Sequence, residues 1–362
     1  MPPRRPTSCV TLGALLCVLV CFTRLSRPRT LAALQAQNGS KSTEDLLQFN
    51  GSSYAYVQIR QDNLNFTLTV YDTGDTVSNS IKERGAWDGA LSSIMLFILN
   101  FRNEKNQYIL DFGANIGWFS LLAAADGHKS FACEAYSSNL VALKRSIFVN
   151  GFEENIFVFP YALGSDRSPS ELCIGLFVPG EEGYNVGNAM AREADDSCSE
   201  RAQVKKLDNI LKSSTSIEKF AVNNRFALMK ADCEGCEARA ILGASHMFSH
   251  YPPCSAFIEW RPDFMRRVGA AEDPESAATL LQNAGYSFFS IHADLESGHD
   301  MRISTISHSK IREVLEKNHD LLLLHPDCFS KQDMSEVLEG IRRIGTKINS
   351  TDRRKTSVVR VY

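Results

Sequence analysis

Residues 108–134 read YILDFGANIGWFSLLAAADGHKSFACE, and this stretch decides the fold. The apolar run Tyr108-Ile109-Leu110 ends in Asp111 and passes into a turn with glycines at 113 and 117. Trp118 to Ala125 is apolar almost all round, which predicts a buried helix. A second apolar run, Phe131-Ala132-Cys133, then ends in Glu134. Strand, glycine turn, helix, strand and acid make the βαβ half of a nucleotide-binding sheet.

The turn limits its ligand. Gly113 and Gly117 carry no Cβ, so the backbone can bend tightly and approach a ligand closely. The N–H groups that open the helix are expected to face that ligand. Glu134 lies 23 residues after Asp111, where a strand-end acid can bond ribose hydroxyls. Asp111-x-Gly113-x-Asn115-x-Gly117 is not the G-x-G-x-x-G spacing of dinucleotide sites, so a nicotinamide enzyme is disfavoured. An acid ending the first strand suits a cationic or amino-bearing ligand better than a pyrophosphate.

The chain has 362 residues, 44% hydrophobic and 22% charged, as befits one large globular domain or two small ones. Residues 1–29 hold Arg4, Arg5, Arg24, Arg27 and Arg29 and no acid, around an apolar run from Cys9 to Phe22. This run is short for a membrane span but suits a signal-type segment. Small residues fit for cleavage, Ala32 to Ala36, lie well beyond it, which favours an uncleaved signal anchor. A mitochondrial presequence is the alternative. With those five arginines set aside, 34 Lys and Arg face 42 Asp and Glu, a balance that argues against nucleic acid as partner.

Residues 30–84 are polar and read as a stem and entry segment. N-x-S/T sequons stand at Asn38, Asn50 and Asn65, with a fourth at Asn349. Their clustering after the anchor points to a lumenal placement. Seven of ten cysteines lie outside the anchor, so at least one stays unpaired; Cys173 and Cys198 could pair across a loop.

The folded body is expected from Gly85. Apolar residues at Leu91, Ile94, Met95, Ile98 and Leu99 predict a helix, and Tyr136 to Asn150 predicts another. Further strands are expected over Ile156–Ala162, Phe226–Lys230, Ala256–Glu259, Tyr286–Ile291 and Leu321–Leu324, with a helix over Pro274–Ala284. Alternating strands and helices imply a mostly parallel sheet covered on both faces. The polar stretch around 181–188 reads as a solvated loop or a substrate-facing lid.

A second motif, Lys230-Ala231-Asp232-Cys233-Glu234-Gly235-Cys236-Glu237, sets acids where a strand meets a helix. Taken with Leu110 to Gly117, Glu134 and Leu207-Asp208, it resembles the FkbM family of S-adenosylmethionine-dependent methyltransferases over residues 85–325. The resemblance implies a Rossmann-like seven-stranded α/β sheet and methyl transfer, usually to oxygen. It implies that Asp111, Gly113, Ala114, Asn115 and Gly117 surround the methionine part of S-adenosylmethionine, with Asp111 on its amino group directly or through water. By the same resemblance Glu134 holds the ribose and Tyr161-Ala162 lie near the adenine. A hydroxyl acceptor gains from a base, for which Glu234, Asp232 and Glu259 are candidates in that order. Helix-start capping is the competing role for Glu234 and Glu237.

Cys233-x-x-Cys236 has redox or zinc spacing but no second pair, and His246-x-x-x-His250 lacks the zinc-protease glutamate. No metal is expected from either. The sequence therefore reads as a tail and anchor over 1–29, a stem over 30–84, a methyltransferase domain over 85–325 and a C-terminal extension over 326–362. The expected function is a secretory-pathway O-methyltransferase in the Golgi or ER, with a glycan hydroxyl as acceptor. Alternatives are a small lipid or protein side chain as acceptor, or a non-catalytic lumenal binding module.

Overall fold

A computed structural model describes residues 48–49, 52–61, 63–175, 185, 187–213, 225–269, 274–292, 302–350 and 359–361. The expected anchor lies outside the described residues, among which no helix is long and apolar enough to cross a membrane. Near the N-terminus β1 (Gln48–Phe49), β2 (Ser52–Gln61) and β3 (Leu64–Tyr71) pair antiparallel. Helices α1 (Thr76–Arg84) and α2 (Gly89–Asn100) follow. The organising stretch then forms β4 (Tyr108–Phe112), α3 (Trp118–Ala125) and β5 (Lys129–Cys133). Helix α4 (Ser137–Asn150) and β6 (Ile156–Phe159) complete that half.

A small sheet is inserted next. It holds β7 (Ala162–Leu163), β8 (Glu171–Gly175), β9 (Met190–Glu193) and β10 (Arg201–Lys205), in the order β7-β10-β8-β9. The second half of the fold runs α5 (Leu207–Ser213), β11 (Leu228–Ala231), α6 (Glu237–Leu242), α7 (Ser245–His250) and β12 (Ser255–Trp260). It continues through α8 (Pro262–Gly269), α9 (Pro274–Asn283), β13 (Ser287–His292), β14 (Arg302–Ile306), α10 (Ile311–Leu315) and β15 (His319–Leu324). Helix α11 (Lys331–Ser350) and β16 (Val359–Val361) end it.

The central sheet has eight strands in the order β14-β13-β15-β12-β11-β4-β5-β6. The five from β6 to β12 run parallel, while β15 is antiparallel to both its neighbours and β14 to β13. The sheet is thus mixed, and the expected seven strands gain β14, whose surface-facing alternation carries few apolar residues. Alternate residues of β4 face opposite layers. Ile109 packs with α2, α3 and α4, whereas Leu110 and Phe112 pack with α5, α6 and α7. The predicted fourth strand starts at Leu228 rather than Phe226, and the third splits between β6 and β7.

Residues 52–84 are not a stem. Phe66, Leu68 and Val70 of β3 are buried in the same core as α3, and Phe66 meets Trp118 with ring centroids 5.9 Å apart. The outer edge of β3 is covered by side chains instead of another strand. The N–H groups of Thr67, Thr69 and Tyr71 donate to Asn150 Oδ1, Ser146 Oγ and Ser78 Oγ. Such cover removes an exposed edge. The expected C-terminal extension is likewise integral: Gly340 of α11 faces the Phe97 ring of α2, and Val337 and Ile341 are buried.

A fragment starting at residue 85 is therefore expected to show no cooperative thermal transition, and one starting at residue 48 to melt cooperatively. Within the full chain, Phe66→Ala should cost about 3–5 kcal/mol, read from denaturant unfolding. A cooperatively folded 85–362 fragment would return residues 52–84 to the role of stem.

Candidate active site

A cavity of about 230 Å³ opens at the C-terminal ends of β4, β5 and β11, where ligands of open α/β sheets collect. Gly113, Ala114, Asn115, Glu134, Tyr161, Ala162, Asp232 and Glu234, all expected at the site, line it together. Asp111, Gly117 and Glu259 do not.

The turn after β4 is closed on itself. Gly113 and Ala114 N–H both donate to Cys133 O at 3.0 Å, and Gly117 N–H donates to Ala114 O at 2.8 Å. Asn115, in the left-handed region at φ 53°, donates its N–H to Glu134 Oε2 and accepts the Ile116 N–H on Oδ1. The N–H groups of all five turn residues, Gly113 to Gly117, are thus satisfied inside the protein. Glu134 Oε1 accepts the Tyr136 N–H at 2.8 Å, so both carboxylate oxygens are fixed by backbone donors. Each keeps lone-pair capacity toward the cavity. Burial pushes Glu134 above the usual carboxylate range, and its backbone donors oppose the shift.

Asp111 stands behind the wall. It faces Lys230 in register across β4 and β11, on the same side of the sheet. Asp111 Oδ2 accepts Ser120 Oγ at 2.6 Å, and Lys230 Nζ lies 3.8 Å from Oδ1 and 3.3 Å from Asp232 Oδ2. Asp111 is fully buried, so its direct contact with an amino group is not what the geometry offers. Lys230 does line the cavity and balances that buried charge. Burial pulls Lys230 down, but Asp232 and Asp111 outweigh it and leave the ammonium raised. Gly117 serves as N-cap of α3 at φ 95°, with Leu143 over its Cα.

The motif after β11 carries the acids. Glu237 is fully buried and accepts N–H donors from Cys233 at 2.7 Å and Gly235 at 3.3 Å, which holds the loop before α6 rather than capping the helix itself. Glu234 instead sits at φ 56° and lines the cavity, pushed up to about 7 by burial and then by Asp232. Glu259 lines an adjoining cavity of about 200 Å³, which shares Trp87, Phe119, Lys230 and Asp232 with the first. There it pairs with Arg261 at 3.2 Å, and Arg261 also reaches Asp320 at 3.0 Å. Burial, followed by Asp232, pushes Glu259 up to about 9. Cys233 and Cys236 form a disulfide in the cavity wall. Cys173 joins Cys198 and Cys254 joins Cys328, which leaves Cys133 as the free cysteine among the described residues.

Sequence reasoning missed Asn139, Asp75 and Thr76, which together with Asn115 hold the strap over the cavity. Asn115 and Asn139 each donate Nδ2 to Gly187 O at 3.0 Å, and Asp75 Oδ1 accepts the Gly187 N–H at 3.2 Å. Thr76 N–H donates to Asn185 Oδ1 at 3.0 Å. Of the expected lid, Asn185, Gly187 and Asn188 line the cavity; 181–184 and Val186 lie outside the described residues. The signal for Asp75 was its N-cap position, since its Oδ2 accepts Ser78 N–H at the start of α1. Asp75→Ala is expected to lower thermal stability by about 0.5–2 kcal/mol through the cap and to weaken cofactor binding several-fold through the strap. Calorimetric titration and thermal melts read the two effects separately.

Sheet, cavity and strand-end acids define an α/β fold of the methyltransferase type. Residues 111–288 match the family model of the methyltransferase FkbM domain, and the chain carries a domain of that family. It is an S-adenosylmethionine-dependent methyltransferase, with that cofactor as methyl donor. No curated protein matches it in sequence. Among solved structures it is similar to an S-adenosylmethionine-dependent methyltransferase from Agrobacterium tumefaciens (9% identity, 75% of this chain and 70% of that one, TM-score 0.37). A TehB-like methyltransferase from Corynebacterium glutamicum (9% identity, 68% and 93%, TM-score 0.35) is another. So is magnesium protoporphyrin IX methyltransferase from Synechocystis, solved with bound SAH (9% identity, 69% and 84%, TM-score 0.33).

The cavity suits the cofactor on its own chemistry. A Cβ at Gly113 would overlap Asp232 O, so the ends of β4 and β11 approach this closely at the cavity only because the residue is glycine. Glu134 offers acceptors for two ribose hydroxyls, Tyr161 and Ala162 offer an apolar edge, and Asp232 offers negative charge.

Proposed function

We propose that this protein is an O-methyltransferase of the secretory pathway whose acceptor is a glycan hydroxyl. The observation that carries the reading is the second cavity. Trp87, Asp88, Asp232, Glu259, Arg261 and Asp320 line it beside apolar residues such as Leu91, Ile94, Phe257 and Ile291, and it joins the cofactor cavity at Lys230 and Asp232. An indole face ringed by carboxylates suits a sugar, whose apolar face stacks and whose hydroxyls donate to the acids.

S-adenosylmethionine supplies an electrophilic methyl group. The residues of the chain have to orient the acceptor oxygen toward it and take the hydroxyl proton. Glu134, Asn115, Gly113, Tyr161 and Ala162 would hold the cofactor, and Asp111 acts through Lys230. Glu234 is the base we favour, because it borders the cavity, stands next to Asp232 and is raised toward neutrality. Asp232 and Glu259 position the acceptor.

Three disulfides support an oxidising compartment. Asn65, the first residue of a sequon, is exposed on β3. Both fit the arginine-flanked apolar run and the sequon cluster read from the sequence. Transfer of labelled methyl groups to a panel of saccharides, phospholipids and peptides tests the acceptor. Saccharide labelling that falls in Asp320→Ala, with unchanged cofactor affinity, is the expected result, because Asp320 lines the second cavity alone. Labelling of lipid or peptide alone would refute the glycan reading. Localisation of the tagged chain in mitochondria or cytosol would refute the compartment.

A further inference from the structure

Between the two cavities three carboxylates converge. One oxygen from each of Asp232, Glu237 and Glu259 lies within 4.8 Å of the other two. Acidic clusters are common, and this one would mean little without Glu237. That side chain is fully buried at the base of the cluster. Its Oε1 accepts the Cys233 and Gly235 N–H groups, while its Oε2 has no hydrogen-bond partner. A buried carboxylate oxygen left without a partner is costly, so it calls for a ligand.

The neighbouring cations do not supply one to Glu237. Lys230 reaches Asp232 at 3.3 Å and shares its charge with buried Asp111, while Arg261 reaches Glu259 at 3.2 Å and shares its charge with Asp320. Five carboxylates therefore face two side-chain cations across this group of ion pairs and the cluster.

We propose that Asp232, Glu237 and Glu259 bind one hard divalent cation, of the Ca²⁺ or Mn²⁺ kind, between the cofactor and acceptor cavities. All three ligands are carboxylate oxygens, the donor set of such ions. The three oxygens lie within 4.8 Å of one another, inside the roughly 5.2 Å that two ligands about 2.6 Å from one cation can span. Zinc is not favoured, because Cys233 and Cys236 are joined to each other and present no thiolate. Asp232 and Glu259 line the acceptor cavity, so the cation is placed to take acceptor oxygens as its remaining ligands. Only that role rests on the methyltransferase reading; the binding of the ion does not.

The test is a titration of the full chain with Mn²⁺, read by loss of the free-ion electron paramagnetic resonance signal. The same samples are titrated with S-adenosylmethionine by calorimetry. One Mn²⁺ per chain, displaced by Ca²⁺, is expected. Asp232→Asn and Glu259→Gln should each weaken Mn²⁺ binding at least tenfold, while Glu339→Gln on the exposed face of α11 should not. If the cluster variants fail to fold, the wild-type titration and the rise of its melting temperature with Mn²⁺ decide the matter. A wild-type chain that binds S-adenosylmethionine but no stoichiometric Mn²⁺ overturns the cation site. Mn²⁺ affinity unchanged in both folded variants overturns it too. Mn²⁺ bound without S-adenosylmethionine would uphold the site and refute the methyltransferase reading instead.

Discussion

Gly113→Ala is expected to abolish measurable S-adenosylmethionine binding, a loss of at least ~100-fold. The residue sits at φ 71°, in the left-handed region, which costs a non-glycine residue about 1–2 kcal/mol. The added Cβ would overlap Asp232 O and stand 2.8 Å from Cys233 Cα and 2.9 Å from the Asp232 carbonyl carbon. These are backbone atoms, tied by Asp232 N–H donating to Phe112 O at 3.2 Å, so no side chain can swing aside. Relief requires the ends of β4 and β11 to part, and overpacking of this kind costs about 1–3 kcal/mol more. A combined cost near ~3 kcal/mol corresponds to the ~100-fold loss.

Gly117→Ala is the informative control. It has similar strain at φ 95°, but the atom met first is Leu143 Cδ1, the free end of a flexible side chain. It should lower the melting temperature and leave cofactor affinity within about tenfold. If Gly113→Ala bound the cofactor as well as Gly117→Ala does, the wall formed by Asp232 would not belong to the cofactor site. Calorimetric titration of both variants, beside melts that confirm folding, decides it.

The contrast between these glycines marks what the sequence could and could not disclose. The helix from Trp118 to Ala125 was legible to the residue, because a stretch apolar but for Ser120 lies between Gly117 and Asp126. Glu134 at the strand end was legible from spacing. The destination of the turn N–H groups was not, since Cys133 O and Glu134 Oε2 come within reach only after β5 pairs with β4. Asp111 shows the same limit. Its type and spacing suggest a ligand contact, but the register opposite Lys230 turns it into the buried half of an ion pair. The hairpin of β2 and β3 was missed for another reason. Phe66, Leu68 and Val70 alternate as a strand should, but Asn65, Thr67 and Thr69 between them lower the average hydropathy to that of a stem. Period, not composition, carried the signal there. The partners that satisfy that edge, Ser146 and Asn150, lie about 80 residues away and follow no local rule.

Glu234→Gln is expected to lower kcat by about 10²–10⁴-fold while S-adenosylmethionine affinity stays within about twofold, the mark of a lost proton acceptor. The backbone at Glu234 supports a role beyond capping. A non-glycine residue at φ 56° is strained, and the adjoining residue is Gly235 at φ 92°. Strain of this kind persists at sites where a side chain is needed in one place. Glu237 already holds this segment through the Cys233 and Gly235 N–H groups, so Glu234 is not required for that purpose. Glu234→Gly separates the two roles. It removes both strain and carboxylate, so it should be at least as stable as the wild type, by up to about 1–2 kcal/mol, and yet as inactive as the Gln variant. A structural residue would give the opposite pattern, with stability and rate falling together. Wild-type kcat in Glu234→Gln would pass the base role to Asp232 or Glu259. Their variants would then be told apart by KM for the acceptor, because Glu259 lines the acceptor cavity alone while Asp232 borders both.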